Sequence, residues 1–210
     1  MKRHSIFVVL VLSFIVHAVY AQEMTPLQKS DGFTIKLKEV SQQTTSIISD
    51  FTEEKYASYL KEPQKSSGKF YYKKKNKLRW EKITPVKYVF IANEDKIKIQ
   101  DNGKDVNVSS ANQVVGKIKD LMLTLVNGDF NSTKLFASSY FETTDSYYVK
   151  LIPKNKKLSS LYDHIMLCFA KDSFLLRSLA FYEKSGDKNT MTFSNSKTNQ
   201  SINDTVFTNF

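Results

Sequence analysis

From Gly68 onward the chain alternates. Phe70 and Tyr72 fall on one parity and Lys69 and Lys73 on the other; Leu78 and Trp80 then stand opposite Arg79 and Glu81. A period of two puts successive side chains on opposite faces of a strand, so residues 68–74 and 77–83 read as strands. Residues 88–92 form a nearly continuous apolar run, and in 96–100 Ile97 and Ile99 alternate with Lys98. A long strand over 47–59 precedes these. Turns fall at Glu62-Pro63-Gln64, Asn93-Glu94-Asp95 and Asp101-Asn102-Gly103, where Gly, Pro, Asn and Asp supply turn conformations. A short strand is expected over 105–109. A second group follows at 141–144, 147–153, 165–170, 175–183 and 190–196, with Ser185-Gly186-Asp187 as a hairpin turn.

Two stretches follow a helical period instead. Phe33, Leu37 and Val40 form a stripe over 32–45, with Asp31 as the expected N-cap. Val114, Ile118, Leu121, Met122 and Leu125 give a cleaner stripe, ended by Asn127-Gly128. A further short helix is expected over 131–139. The pattern predicts an α+β, mainly β chain: one strongly curved antiparallel sheet of ten or eleven short strands with one apolar face, and helices to cover it.

The first 21 residues stand outside this pattern. Lys2 and Arg3 precede an apolar run over 6–16, and Ala18-Val19-Tyr20-Ala21 offers small residues for cleavage before Gln22. This is the layout of a secretory signal peptide, and the run is too short to span a bilayer. Cleavage after Ala21 takes the 210 residues to 189, one domain over 22–210, and the net charge from +10 to +8. It also removes His4 and His17. No Cys follows the cleavage site; Cys168 is the single cysteine, so an intrachain disulfide is excluded.

Catalytic chemistry finds little footing. There is no G-x-S-x-G, Walker loop, G-x-G-x-x-G or H-E-x-x-H. One remaining histidine, His164, cannot build a His-rich metal site, so neither metal nor cofactor is expected. His164 and Cys168 lie on an expected strand, where residues four apart are separated by about 13 Å. The neighbours Glu53 and Glu54 point to opposite faces of theirs. The basic run Lys73-Lys74-Lys75, with Lys77 and Arg79, adjoins Phe70, Tyr71, Tyr72 and Trp80, an interleaving that single-strand binders share. Here, however, most lysines oppose the aromatics or sit in the turn, so they describe a solvated convex face, and no nucleic acid is expected. The aromatic content, 13%, carries more. Placed on one face of a curved sheet, it reads either as a cavity for an apolar ligand or as an ordinary filled core. Periodicity alone leaves both open.

Phe51-Thr52-Glu53, Gly68-Lys69-Phe70-Tyr71-Tyr72, Leu78-Arg79-Trp80, Pro85, the run 89–92 and Lys96-Ile97 together resemble the LolA family of periplasmic lipoprotein carriers. The closing Asn203–Phe210 segment resembles that family's final strand. The resemblance implies an incomplete, half-open β-barrel lidded by helices. It implies a carrier or chaperone, not an enzyme, that binds lipoprotein acyl chains in its concave cavity. It takes them from an inner-membrane release transporter to an outer-membrane acceptor, and a monomer is expected. Carried over by position, Phe51, Phe70, Tyr72, Leu78, Trp80, Phe90, Ile97 and Ile99 line the cavity. Ile118, Leu121, Met122 and Leu125 form the underside of a lid helix. Parity within 88–91 is ambiguous. The family's Arg-Pro pair falls on Lys74-Lys75, which makes Lys74 the candidate lid latch. The chain stops at Phe210 without the family's usual tail, which leaves docking to the inner-membrane partner open. Three rival readings remain: a carrier of another apolar lipid or pigment, an envelope-stress sensor or binding module of the same architecture, and a secreted hydrolase if Cys168, His164 and a carboxylate converge.

Overall fold

The computed structural model describes residues 23–108, 119–124, 126 and 135–210. The expected signal peptide lies outside them. Among the described residues, twelve strands form one sheet: β1 (Thr25–Pro26), β2 (Ser46–Tyr56), β3 (Gln64–Lys73), β4 (Lys77–Thr84), β5 (Tyr88–Asn93), β6 (Lys96–Asp101), β7 (Lys104–Asp105), β8 (Phe136–Glu142), β9 (Ser146–Pro153), β10 (Tyr162–Ala170), β11 (Leu176–Glu183) and β12 (Lys188–Thr198). Helix α1 (Asp31–Gln43) precedes β2, and a single turn, α2 (Lys156–Ser159), joins β9 to β10. Residues 119–124 and 126 are helical. Among the described residues no helix is long and apolar enough to cross a membrane.

The strand order is β1-β8-β9-β10-β11-β12-β2-β3-β4-β5-β6-β7, with every neighbouring pair antiparallel. β1 and β7 are free edges, so the sheet does not close. β12 joins the two halves by pairing with β2, which brings the last strand of the chain beside one of the first.

Directly paired residues share a face, so the register sorts the side chains. Ser49, Phe70, Trp80, Phe90 and Ile99 form one row across β2–β6; Ile47, Tyr72, Leu78, Ala92 and Ile97 form the next. In the other half Leu167 stands between Val149 and Leu179. These side chains belong to one core, which also contains Phe33 and Leu37 of α1 and Leu121, Met122 and Leu123. The row settles the parity of β5: Phe90 faces this core, while Val89 and Ile91 face outward.

The outward face carries an apolar cluster of its own. Val89 and Ile91 pack there with Ile202 and Phe207 of the C-terminal segment. That segment was expected as a strand; it is a 3-10 helix, Asp204–Phe207. β12 already pairs with β11 and β2, so no ladder edge remains beside it. The Asn203 side chain instead accepts from Thr205 N at 3.0 Å and starts a turn.

Four other expectations are corrected. Among the described residues the strands number twelve rather than ten or eleven: the short edge β1 was not foreseen, and the strand expected at 141–144 is β8, which runs from Phe136 to Glu142. Residues 136–139, expected as helix, belong to β8, where Phe136 opposes Pro153 and the ladder overrides weak helical spacing; residues 131–134 lie outside the described set. Ser30, not Asp31, occupies the N-cap of α1, and Asp31 sits in the first turn, where its charge suits the helix dipole. The long strand ends at Tyr56 rather than 59.

Candidate apolar binding site

Helix α1 lies against the apolar face, and one ring anchors its N-terminal half. Phe33 is 4.6 Å from Tyr147 between centroids, 5.9 Å from Phe169, 6.0 Å from Tyr140 and 6.2 Å from Phe174. Leu37, one turn on, is buried as well.

Beyond Leu37 the packing leaves a cavity of about 70 Å³. Leu37 and Val40 of α1 roof it, together with Met122 and Val126. Ile47, Phe70 and Phe193 line it from β2, β3 and β12, and Phe169, Leu176 and Leu179 from β10 and β11. Three hydroxyls in the lining are already bonded. Thr44 Oγ1 donates to Val40 O at 2.8 Å. Ser49 Oγ lies 2.9 Å from Ser194 O and 2.8 Å from Ser196 Oγ. The wall therefore offers hydrocarbon, and these hydroxyls need nothing from a ligand. The free volume is far below the roughly 300 Å³ and more of small-molecule pockets.

The C-terminal end of α1 is tied down by polar bonds. Lys74, in the turn after β3, donates from Nζ to Gln42 O at 2.5 Å and from its backbone N to Thr45 O at 2.9 Å. Asn199 Oδ1, beyond β12, accepts from Thr45 N at 2.7 Å and from Thr45 Oγ1 at 3.0 Å. The residue that the sequence marks as a latch thus contacts the helix end.

Of the eight expected cavity residues, Phe70 borders the free space. Phe51, Tyr72, Leu78, Phe90 and Ile99 are packed in the surrounding core, with Trp80 and Ile97 against it. Of the expected lid residues, Met122 faces the cavity and Leu121 is buried beside it; Ile118 and Leu125 lie outside the described residues, as does Val114. Sequence reasoning missed Phe169, Leu176, Leu179 and Phe193. Their alternation was visible, but nothing local says that β12 brings them next to β2. The hydrolase constellation is not assembled. His164 Nδ1 is 2.8 Å from its neighbour Asp163 and its ring stacks on Tyr182 at 4.2 Å, while Cys168 is buried four residues further along the strand.

The inner face also holds a charge. Glu53, 5% exposed, meets Lys82 Nζ at 2.5 Å and accepts from Ser66 Oγ at 2.7 Å and Asn189 Nδ2 at 2.7 Å. Burial by itself pushes its carboxyl up, but the bonds from Lys82, Ser66 and Asn189 outweigh that and hold it below the usual carboxylate range. On the convex face, the basic residues hold the C-terminal segment. Arg79 donates to Val206 O at 3.2 Å and Asn209 O at 2.5 Å, Lys98 to Thr208 O at 2.9 Å, and Lys73 to Ile202 O at 2.9 Å. Lys73 and Lys77 both pair with Asp204, at 2.6 and 2.9 Å.

No curated protein matches the chain. Among solved structures it is similar to a LolA-superfamily protein of Nitrosomonas europaea, at 12% identity and TM-score 0.43, covering 84% of this chain and 97% of that one. It is similar to a DUF1329-family protein of Desulfovibrio piger, at 12% identity and TM-score 0.46, covering 87% and 97%. It is also similar to a chain of the Pseudomonas aeruginosa MucA/MucB complex, at 11% identity and TM-score 0.48, covering 83% of this chain and 59% of that one. The family model described as outer membrane lipoprotein carrier protein LolA matches residues 42–209, which takes in strands β2 to β12, Lys74 and the C-terminal turn. The chain therefore belongs to the LolA family of outer-membrane lipoprotein carrier proteins.

Proposed function

We propose that this protein is a periplasmic carrier that takes up the acyl chains of lipoproteins beneath α1 and delivers them from the inner to the outer membrane, without an enzymatic step. One observation carries the reading: an apolar cavity, with the Thr44, Ser49 and Ser196 hydroxyls of its lining already bonded, lies under a helix tied at its end by a few polar bonds. An acyl chain gains about 0.8 kcal/mol per CH₂ removed from water, so an acylated protein needs such cover to cross an aqueous gap. Loading moves α1 off the sheet, drawing Phe33 from its ring cluster and Lys74 from Gln42 O. The enlarged cavity then has Phe51, Phe70, Tyr72, Leu78, Trp80, Phe90, Ile97 and Ile99 as its floor, and Leu121 and Met122 as part of its cover. The cost of displacing α1 offsets part of the acyl burial and keeps binding reversible. Release to an outer-membrane acceptor needs that reversibility, as does uptake from an inner-membrane transporter.

The test is to isolate the protein with its cargo from the periplasm and identify the cargo by mass spectrometry. An acylated polypeptide is expected, and deletion of the protein should leave lipoproteins in the inner membrane. A free lipid or pigment as the sole cargo overturns the lipoprotein assignment in favour of another carrier. An empty cavity with intact lipoprotein sorting overturns the carrier reading altogether and leaves the sensor module.

A further inference from the structure

The lysines around the β3–β4 turn divide between two faces. Lys73 and Lys77 go to the convex side and share Asp204. Lys74 and Lys75 turn the other way and, with Lys38 of α1, line an open polar groove of about 380 Å³. Ser41, Gln42, Tyr72 and Asn76 complete it. Ser41 also lines the apolar cavity, so the polar groove and the apolar cavity meet across one turn of α1.

The charges in this groove are not compensated. Among the described residues, no carboxylate ion-pairs with Lys38, Lys74 or Lys75, whereas Lys36, Lys65, Lys69, Lys73, Lys77, Lys82, Lys171 and Lys184 each have an acidic partner. An ammonium carries three N–H donors, and Lys74 gives one to Gln42 O. Two remain for a ligand. Like charges gathered on one groove repel each other, and a bound anion relieves that repulsion.

We propose that this groove holds the anionic head group, a phosphate or carboxylate, of an amphiphile whose hydrocarbon chain occupies the adjoining apolar cavity. The inference rests on the reading of the chain as a carrier of acyl chains, not on lipoproteins being the cargo, and adds the chemistry of the head. Lysine suits the role because its point charge binds an anion without the planar two-point fit that arginine imposes. The recognised class is an anionic acyl lipid rather than a neutral one.

The test titrates the full mature chain, at low salt and below micelle concentrations, with palmitoyl-lysophosphatidylglycerol, with monopalmitoylglycerol, and with inorganic phosphate. The anionic lipid should bind tighter than the neutral one by about tenfold, the effect of one well-placed charge contact. That gap should narrow as salt screens the charges. In the double variant Lys38→Gln, Lys75→Asn it should shrink to about twofold, with neutral-lipid affinity unchanged, as expected if one charge contact is largely lost. Asn at 75 accepts the left-handed backbone there, φ 70°, so the turn is kept. Inorganic phosphate alone should bind at least about a hundredfold more weakly, since it lacks the chain. Equal affinity for the two lipids, in wild type and variant alike, overturns the head-group assignment and leaves the carrier reading standing. Failure of both lipids to bind overturns both. Phosphate binding as tight as the anionic lipid overturns the coupling of head to chain and makes the groove a site for free anions.

Discussion

Of the described glycines, Gly68 has the least room for a side chain. It lies at a bulge where β3 steps past β4, and a Cβ there would fall 1.9 Å from the Glu81 carbonyl oxygen. The obstacle is backbone and cannot rotate away. Gly68→Ala should therefore destabilise by about 2 kcal/mol or more, a fall in Tm on the order of 5 °C for a chain of this size; an unchanged melting curve would sink this argument. Glu53 governs a pH dependence. Its folded pKa is held below the ordinary 4.5, so the stabilisation it confers is fully present above 4.5 and is lost as pH falls through the folded value. Glu53→Gln should cost about 1–3 kcal/mol at pH 7. In urea titrations the difference from wild type should narrow steadily toward pH 3; a difference independent of pH would contradict the role given to the Lys82, Ser66 and Asn189 bonds.

Two elements close the molecule from opposite faces. On the concave side, α1 depends on Phe33 at one end and Lys74 at the other. Removing the Lys74 ammonium frees the helix end without disturbing the sheet. Lys74→Ala should raise amide exchange in α1 several-fold while lowering global stability by no more than about 1 kcal/mol, as expected of an exposed polar contact. Lys74→Arg, which keeps a donor in reach of Gln42 O, should restore protection. On the convex side, Asp204 ties the C-terminal turn to Lys73 and Lys77. These ammonium groups, Lys73 first, lower its carboxyl to about 2. Its stabilising effect is complete above its ordinary value of 3.8 and disappears as pH drops through about 2. Exchange at 204–207 should rise over that acid range, and Asp204→Asn should show the same exchange already at pH 7.

At the scale of the whole molecule, an open sheet with β1 and β7 as free edges is covered by helices rather than closed on itself. A closed barrel fixes its interior volume, whereas this arrangement lets the volume change as the cover moves. On the carrier reading, the cavity of about 70 Å³ is the closed end of a range. A ligand that binds the folded state alone stabilises it by about 2.7 kcal/mol at a hundred times its Kd. Saturation with a single-chain acyl lipid should therefore raise Tm by roughly 5–10 °C. It should also raise amide exchange in α1, because the cover is displaced while the sheet is stabilised. A Tm rise with α1 more protected would mean that the chain binds elsewhere.

The sequence by itself determined most of the strands, the placement of α1 and the inward parity of Phe70, Tyr72, Leu78 and Trp80, because period-two alternation and turn residues act over a few neighbouring positions. Lys74 was marked only through the resemblance, as the position on which the family's Arg-Pro pair falls. Only the tertiary structure decided what depends on partners distant in the chain. Whether the run at 88–92 turns Phe90 or Val89 inward followed from its register between β4 and β6. That residues 203–210 form a turn on the convex face followed from β12 having both ladder edges filled and from the Arg79, Lys73 and Lys98 donors waiting there. The cavity itself required Phe169 and Leu179 from the end of the chain to face Ile47 and Phe70 from its beginning. That juxtaposition is made by the single pairing of β12 with β2, which no local pattern encodes.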